Sequence, residues 1–426
     1  MLLKSKHIKL VTISLFVFFL LTACSFTMKD DEETFKETEP TTVVDEQEES
    51  TPEPVYITIS AVGDVMAHMS QINAQYRNDI DDYDFTNNFK HMKPYITDAD
   101  IALANLETTF GGAERGYSGF PLFNAPDALA DGLADAGFDI IATANNHTID
   151  TGITGANRTI DVLRDRDLGV IGTRKSVDEE SYMIKDVNGV KVGFTAYTYE
   201  TKRQGETKTL NGIPIPKDYE DLIDTFSYEY MEQSYEEMEN RVNHLREAGA
   251  EAIVFFMHWG DEYQRQPNQF QKMIAQKLSE FGVDIIFGSH PHVVQPIELI
   301  KNEVNDHQTV VVYSMGNFIS NQRHETLNNR YTEDGLMVTV ELKKDFEEDT
   351  ISINNVKYMP TWVYRYTENG RFVYEVIPVL DYIENKQSYE LSDEIASRIL
   401  NSKENTKGLV DLEDELLRTK PVFKRN

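Results

Sequence analysis

The stretch DIIFGSHPHVVQP, residues 284–296, runs from a short apolar segment into two histidines that are separated by one proline. The apolar segment Ile285–Phe287 is typical of a buried strand, which ends at the glycine that follows it. In α/β proteins the loops at the carboxyl ends of strands converge above a rigid sheet, and binding sites form there. Because the chain has only 10 histidines, His290 and His292 at one strand end indicate a shared polar or metal-binding site.

Four other segments repeat this pattern of an apolar run followed by polar side chains. Neutral imidazole and carboxylate groups are ligands for Zn, Mn or Fe, and a bridging carboxylate can hold two cations about 3.5–4 Å apart. We therefore predict a divalent metal site, and the alternative is a set of hydrogen-bonded histidines at a sheet edge. The side chains are Asp64 and His68 after Val55–Val62, Asn105 and Glu107 after Ile101–Ala104, Asn145, Asn146, His147 and Asp150 after Ile140–Ala144, and His258 after Ala252–Met257.

Strand-like and helix-like segments alternate along the rest of the chain, which predicts the α/β fold class with mixed sheets. A hairpin is predicted around the turn Asn188-Gly189, and Lys202–Thr225 is predicted to be a loop. Three later segments are predicted to be antiparallel strands of a second sheet, namely Leu336–Leu342, Ile351–Tyr358 and Phe372–Pro378. Helices are predicted over Ala125–Gly137, Thr154–Asp167, Ser227–Ala248 and Gln266–Phe281.

Length and charge limit the classes of partner. With 426 residues, 40% of them hydrophobic, the chain can bury a large core in one or two domains. The net charge of −31 argues against nucleic acid as a partner and against electrostatic docking on anionic lipid, because both require a basic surface. An anionic substrate would therefore need a local source of positive charge, which a bound metal supplies.

The N-terminus has the pattern of a secretory signal. Lys4, Lys6 and Lys9 precede the apolar run Leu10–Leu21, which is too short to span a membrane. The sequence that follows, Leu21-Thr22-Ala23-Cys24, resembles a bacterial lipoprotein box and contains the only cysteine of the chain. We therefore expect a signal peptide over residues 1–23, lipidation of Cys24 and anchoring on the extracytoplasmic face of the cell membrane. An incidental cysteine in a hydrophobic signal is the alternative.

The remaining domain limits follow from shifts in composition. Residues 24–54 are rich in Asp, Glu, Thr and Pro, and such a segment is expected to be a disordered acidic tether behind the lipidated cysteine. A folded domain is predicted over residues 55–385, followed by a C-terminal helical tail over residues 386–426.

Six segments, taken in order, resemble the CapA family of capsule and poly-γ-glutamate synthesis proteins, which is itself similar to the calcineurin-like metallophosphoesterases. The resemblance covers roughly Val55 to Ser320, and ANNHTIDTG and GSHPH are its most specific parts. It implies a four-layer αββα sandwich of two mixed β-sheets with a metal site at one edge. The segments are AVGDVMAH (61–68), ANLETTF (104–110), ANNHTIDTG (144–152), VFFMHWGDEY (254–263), GSHPHVVQP (288–296) and YSMGNFISNQ (313–322).

The resemblance also implies a role for each matching side chain. One metal would be held by Asp64, His68, Glu107 and His292, the other by Glu107, Asn146, His258 and His290, with His147 as an unliganded general acid. Three positions differ from the pattern of the metallophosphoesterases. Three residues separate Asp64 from His68 where the pattern has one, Glu107 stands where an aspartate is usual, and Ser289 replaces a glycine. One metal, two metals or none remain open at this point.

Two classes of function fit these features. The first is a metal-dependent hydrolase or transferase, similar to phosphoesterases, that acts on an envelope polymer or its precursor. The second is a non-catalytic, lipid-anchored accessory subunit that works with a capsule polymerase and exporter. We predict a role in capsule or poly-γ-glutamate biosynthesis or export, with an anionic polymer or precursor as ligand. A hydrolase that acts outside any capsule pathway is the alternative.

Overall fold

The computed structural model describes residues 52–302, 307–389 and 391–410, together with the backbone of residues 419–421. The predictions for Cys24, for the signal peptide and for the tether up to residue 51 concern residues outside this range. Within these described ranges, no helix is long and apolar enough to cross a membrane.

The described residues form strands and helices in alternation. The strands are β1 (Val55–Val65), β2 (Tyr76–Arg77), β3 (Asp82–Tyr83), β4 (Ile101–Leu106), β5 (Ile140–Ala142), β6 (Gly169–Ile171), β7 (Met183–Val187), β8 (Val190–Tyr199), β9 (Thr201–Gln204), β10 (Thr207–Leu210), β11 (Ile213–Pro214), β12 (Thr225–Phe226), β13 (Ala252–His258), β14 (Ile285–Ser289), β15 (Ile297–Lys301), β16 (Gln308–Val312), β17 (Asn317–Ile319), β18 (Asp334–Asp345), β19 (Thr350–Glu368), β20 (Arg371–Pro378) and β21 (Thr419–Pro421). The helices are α1 (Met69–Gln75), α2 (Thr86–Phe89), α3 (Lys93–Ile96), α4 (Ala128–Ala136), α5 (Gly152–Arg164), α6 (Met231–Glu247), α7 (Gln269–Glu280), α8 (His324–Leu327), α9 (Val379–Glu384) and α10 (Asp393–Val410).

Two large mixed sheets carry the fold. In the part of the chain that the structure describes, the first sheet has nine strands in the order β20-β19-β18-β1-β4-β5-β6, with β17 beside β1 and β21 beside β19. The second has seven, in the order β12-β8-β13-β14-β16-β15, with β7 beside β8. Strands β1, β4, β5 and β6 are parallel to one another, as are β8, β13, β14 and β16. The carboxyl ends of each parallel set therefore meet at one edge of its sheet.

Strand β13 shows how the sequence builds layers. Successive side chains of a strand point to opposite faces, so a strand covered on both faces must be apolar at nearly every position. Ala252, Val254 and Phe256 lie in the core between the two sheets. Ile253, Phe255 and Met257 pack on the other face, in the apolar cluster that includes residues of α6 and α7. The uninterrupted apolar run of β13 is thus explained by burial on both faces.

The same division of faces gives four layers. Residues of β1, β4, β5 and β18 from the first sheet and of β8, β13, β14 and β16 from the second share one buried core. Residues of α1 to α5 cover the outer face of the first sheet, and residues of α6 and α7 cover that of the second. The predicted αββα sandwich of two mixed sheets is confirmed.

The prediction for the later strands is wrong in one respect. The segments β18, β19 and β20 are antiparallel strands, but they extend the first sheet, because β18 pairs antiparallel with β1 from Val55 opposite Lys344 to Val62 opposite Met337. The alternation of apolar and polar residues along β18 indicates which face of the strand is buried, but it does not identify the neighbouring strand. The partner is β1, whose inner face meets the same core.

The segment predicted to be a loop contains a small sheet. Strands β9, β10 and β11 pair antiparallel within Lys202–Thr225. Leu210 and Ile215 are fully buried there, in a cluster with Ile149 and Ile223. This cluster holds the small sheet against the loop that follows β5.

Helix α10 covers part of the predicted C-terminal tail. Its last residue, Val410, is buried in the core between the sheets. Its Asn405 donates a hydrogen bond of 2.9 Å to Asp334 at the start of β18. The domain limits themselves stay predictions.

Candidate metal centre

The predicted ligand side chains lie where strand ends of the two sheets meet. Asp64 lies near the end of β1 and Glu107 directly follows β4, both in the first sheet. His258 is the last residue of β13, and His290 follows β14, both in the second sheet. The centre is therefore assembled from both sheets. Asp64, Glu107 and His258 are 0% exposed, so it is closed to bulk water at its base.

Gly63 allows the backbone to bring Asp64 into the centre. The Asp64 amide donates a 3.0 Å hydrogen bond to the Gly316 carbonyl oxygen, and the register between β1 and β4 shifts between Val62 and Asp64. A Cβ atom at position 63 would lie 1.8 Å from that carbonyl oxygen, so no other residue fits without moving the backbone. The shift in register places Asp64 beside the loop that follows β14 and carries His290 and His292.

Five of the predicted ligands form two groups that share Glu107. Within each group, one ligand atom per residue can be chosen so that all of them lie within 4.8 Å of one another. Glu107 Oε1 lies 3.6 Å from His258 Nε2 and 3.7 Å from His292 Nε2, between the two groups. We call Asp64, Glu107 and His292 the aspartate group, and Glu107, His258 and His290 the histidine group. A carboxylate in this position can act as a ligand in both groups.

Glu107 has the properties of a carboxylate that can bind a cation. Among the described residues, neither of its oxygens has a hydrogen-bond partner, although both are buried. Burial, and then the nearby charge of Asp64, raises the pKa of Glu107 well above its ordinary value. A buried carboxylate is normally hydrogen-bonded, paired or bound to a metal. The residues present therefore fit a divalent cation.

The histidines are held in the neutral form that metal binding requires. Burial, and then the proximity of other histidines, lowers the pKa of both His258 and His290 well below the ordinary value. Within the described residues, His290 Nδ1 is buried without a hydrogen-bond partner. The backbone of His290 has φ 95° and that of His292 has φ 57°, in a region that non-glycine residues seldom adopt. Strain of this kind concentrates at functional sites, where surrounding contacts maintain it.

His292 is oriented through its Nδ1 atom. This nitrogen lies 3.0 Å from Asp64 Oδ2 and 3.1 Å from Asn317 Oδ1. Both oxygens accept, so Nδ1 carries the proton and Nε2 is left free toward Glu107. Metal-binding histidines are commonly fixed by an acceptor at the other ring nitrogen. Asn317 was not assigned to the site from the sequence.

His258 has partners at both ring nitrogens. Its Nε2 donates to Asn146 Oδ1 at 2.8 Å, and its Nδ1 lies 2.9 Å from the Ser289 hydroxyl. Ser289 is the residue that replaces the usual glycine. A hydroxyl can donate or accept, so the Ser289 oxygen can accept a hydrogen bond from Nδ1–H in the tautomer whose Nε2 is free to bind a cation.

His147 is placed for proton exchange. Its Nδ1 donates to Asp150 Oδ2 at 2.7 Å, and the Phe123 ring lies edge-on at a centroid distance of 4.8 Å. Asp150 also accepts a 2.6 Å hydrogen bond from the Phe123 amide. Because Asp150 holds the Nδ1 proton, any second proton of His147 is carried on Nε2.

His68 lies outside both groups. It precedes the first turn of α1, and its Nδ1 lies 3.1 Å from Gln71 Oε1. Burial, opposed by the contact with Gln71 and assisted by the nearby His292 and His147, lowers the pKa of His68 to about 4. The three-residue spacing from Asp64 carries His68 beyond the strand end into this helix. Its role as a ligand stays a prediction.

Two further side chains contact the ligand groups. Asn105 Nδ2 donates to Asp64 Oδ1 at 2.8 Å and lies 3.3 Å from His258 Nδ1, so it joins the two groups. Tyr199, at the end of β8, lies against His290 with ring centroids 4.7 Å apart. Asn105 was assigned to the site from the sequence, whereas Tyr199 was missed, although it also stands at the carboxyl end of a parallel strand and the same rule could have identified it.

Comparisons with known proteins agree on one family. The family described as bacterial capsule synthesis protein PGA_cap matches residues 58–322. The capsule biosynthesis protein CapA of Bacillus anthracis is 27% identical over 284 residues, covering 62% of this chain and 60% of that protein. The PGA biosynthesis protein CapA of Bacillus subtilis (strain 168) is 30% identical over 234 residues, covering 54% of each. The chain thus spans between one half and two thirds of the length of these relatives.

Among the solved structures with a similar chain trace are two whose titles name an enzyme. A novel phosphatase from Mycoplasma pneumoniae aligns with a TM-score of 0.40 and 13% identity, covering 78% of this chain and 99% of that one. The sulfate thiohydrolase SoxB of Thermus thermophilus aligns with a TM-score of 0.33 and 14% identity, covering 72% of this chain and 43% of that one. Because the sequence match over residues 58–322 includes every predicted ligand and more than half of the chain, this chain belongs to the bacterial capsule synthesis protein PGA_cap family.

Proposed function

We propose that the centre binds two divalent cations and performs phosphoesterase-type chemistry in capsule or poly-γ-glutamate biosynthesis. The observation that carries the proposal is Glu107, a buried carboxylate between two histidine-containing groups whose oxygens have no hydrogen-bond partner among the described residues. The family and the names of its two Bacillus relatives support the capsule pathway.

The aspartate group would hold one cation, and the histidine group would hold the other together with the carbonyl oxygen of Asn146. When bound, such a pair polarises a phosphoryl or acyl oxygen and lowers the pKa of water. The donor set, which mixes imidazole and carboxylate, suits Mn, Zn or Fe. The bound charge would also draw an anionic substrate toward a chain that carries a net charge of −31.

His147 would act on the leaving group. Asp150 accepts a hydrogen bond from Nδ1, so that the transferable proton is on Nε2. In this role His147 gives that proton to the leaving oxygen as the bond to the phosphorus or acyl carbon breaks. It needs no coordination to do so.

The proposal includes a location. The signal-like N-terminus and the lipoprotein box at Leu21–Cys24 support a chain that is lipid-anchored on the extracytoplasmic face of the membrane, beside polymerase and exporter subunits. Mass spectrometry of the membrane fraction tests this idea. We expect a mature N-terminus at Cys24 with acyl chains attached, and an unmodified Cys24 in the membrane-bound form would contradict it.

Metal analysis and a phosphatase assay test the centre itself. We expect about two Mn, Zn or Fe ions per purified chain, together with hydrolysis of an aryl phosphate that a chelator abolishes and added metal restores. A wild-type protein that takes up no transition metal after incubation with Mn or Zn would refute the dinuclear centre.

The accessory role gives a different result in cells. A folded variant without metal that still restores capsule in a deletion strain would show that the family function does not need the centre. Loss of capsule together with loss of metal supports catalysis in the pathway.

A further inference from the structure

Asn211 reaches the centre from outside the five strand ends. It lies in the turn between β10 and β11 with φ 48°, a left-handed conformation that asparagine adopts more readily than most residues. The preceding residue, Leu210, is fully buried with Ile149 and Ile215. The turn is therefore held firmly against the loop that carries Asn146, whereas the Asn211 side chain itself is exposed.

The Asn211 side chain contacts the outer end of the Asn146 amide. Asn146 Nδ2 donates a 3.1 Å hydrogen bond to Asn211 Oδ1. At the inner end, Asn146 Oδ1 accepts the 2.8 Å hydrogen bond from His258 Nε2. An asparagine amide has one accepting end and one donating end, so a fixed acceptor outside determines which end faces inward.

We propose that Asn211 is a positioning residue that keeps the Asn146 carbonyl oxygen directed at the histidine group. This inference rests on the proposed metal centre and names a determinant of its affinity. Without the oxygen of Asn211, the Asn146 amide is free to turn over and present Nδ2 to the centre. An N–H donor cannot bind a cation, so the histidine group would lose a ligand.

The contacts of Asn211 with His147 are weaker. Asn211 Nδ2 lies 3.5 Å from both ring nitrogens of His147, at the outer limit of a hydrogen bond. His147 Nδ1 is already held by Asp150 at 2.7 Å. The effect of Asn211 is therefore exerted on Asn146 and on metal affinity.

Two substitutions at this position separate the side-chain oxygen from the backbone conformation. Asn211→Gly removes the side chain and tolerates φ 48° without strain. Asn211→Asp keeps an oxygen that accepts from Asn146 Nδ2. The measurement is a titration of the full chain with Mn and with Zn against a chromogenic chelator, with circular dichroism to verify the fold.

We expect Asn211→Gly to weaken one of the two binding steps by about 10- to 100-fold, the usual effect of losing a partner that orients a ligand. The other step should stay within about twofold, because the aspartate group does not contact Asn211. Asn211→Asp should bind metal as tightly as wild type or more tightly, since it retains the acceptor and adds a negative charge.

Two results would overturn the inference while leaving the proposed centre intact. One is a wild type that binds two ions and an Asn211→Gly variant that retains both affinities. The other is an Asn211→Asp variant that binds as weakly as Asn211→Gly. A wild type that binds no metal would remove the centre, and the positioning role would be refuted with it.

Discussion

Replacing Glu107 by Gln should abolish the stabilisation that metal gives to the protein. Glu107 belongs to both candidate ligand groups, so in the proposed centre its carboxylate would contribute to both cations, whereas every other ligand would contribute to one. Glutamine has nearly the same shape and removes a buried carboxylate that has no hydrogen-bond partner among the described residues. The apo variant should therefore be at least as stable as apo wild type, which separates loss of metal from loss of fold.

The size of the effect follows from mass action. A ligand at about 100 times its Kd stabilises the folded state by about 2.7 kcal/mol, so two independent cations contribute about 5.4 kcal/mol. Unfolding entropy is about 2.1 cal/mol/K per residue, which for about 350 described residues converts this free energy into a rise of about 7 °C in Tm. Wild type should show this rise with saturating Mn or Zn, and Glu107→Gln should show less than about 1 °C.

Differential scanning calorimetry with and without metal provides the measurement, and elemental analysis after dialysis gives the number of ions. Glu262→Gln is the matched control, because Glu262 is an exposed carboxylate near the centre and belongs to neither ligand group. It should retain metal and the full rise in Tm. If Glu107→Gln bound two ions with the wild-type shift, the bridging role of Glu107 would be wrong.

Three further predictions concern other parts of the molecule. His147→Ala should retain the metal content of wild type and lower aryl phosphate turnover by about 10²- to 10⁴-fold, and elemental analysis beside a steady-state assay checks both parts. Burial raises the pKa of Asp334 to about 6, so the contribution of Asp334 to the free energy of unfolding should fall as pH rises from about 4 to 6, because this carboxyl ionises first in the unfolded chain. Asp334→Asn keeps an oxygen that accepts a hydrogen bond from the Asn405 amide. At pH 7 this variant should be more stable than wild type by about 2–3 kcal/mol. Equal midpoints of urea unfolding for the two proteins at pH 7 would contradict this prediction. Gly63→Ala should abolish soluble expression or metal binding, since its Cβ would meet the Gly316 carbonyl oxygen at 1.8 Å, and normal metal content in a soluble variant would count against the close approach.

The grouping of five candidate ligands could be predicted from the sequence because these side chains obey one simple rule. Asp64, Glu107, His258, His290 and His292 stand at or just beyond the carboxyl ends of strands, and such positions converge in parallel sheets. Local patterning therefore predicted the contact of residues that are far apart in the chain. The rule needs no knowledge of which strands are neighbours.

Contacts made from outside the strand ends could not be predicted in this way. Asn211 belongs to a segment whose polar, glycine-containing sequence favours a loop, and only packing of Leu210 against Ile149 brings it to Asn146. His68 was placed with Asp64 by family resemblance, whereas the intervening residues carry it to the start of α1. The pairing of β18 with β1 likewise depends on the inter-sheet core, which strand alternation does not specify.

The contribution of ligands from both sheets has a consequence for the order of folding. Asp64 and His292, which touch each other, are 228 positions apart in the chain, and each ligand group combines residues from both sheets. Contacts of such long range form late, since closing a large loop costs entropy before any contact compensates for it. A cation would therefore find these candidate ligands assembled only after the two sheets have docked. A metal bound in the proposed centre would consequently be selected by the ions available where the chain completes its folding, rather than where it is synthesised.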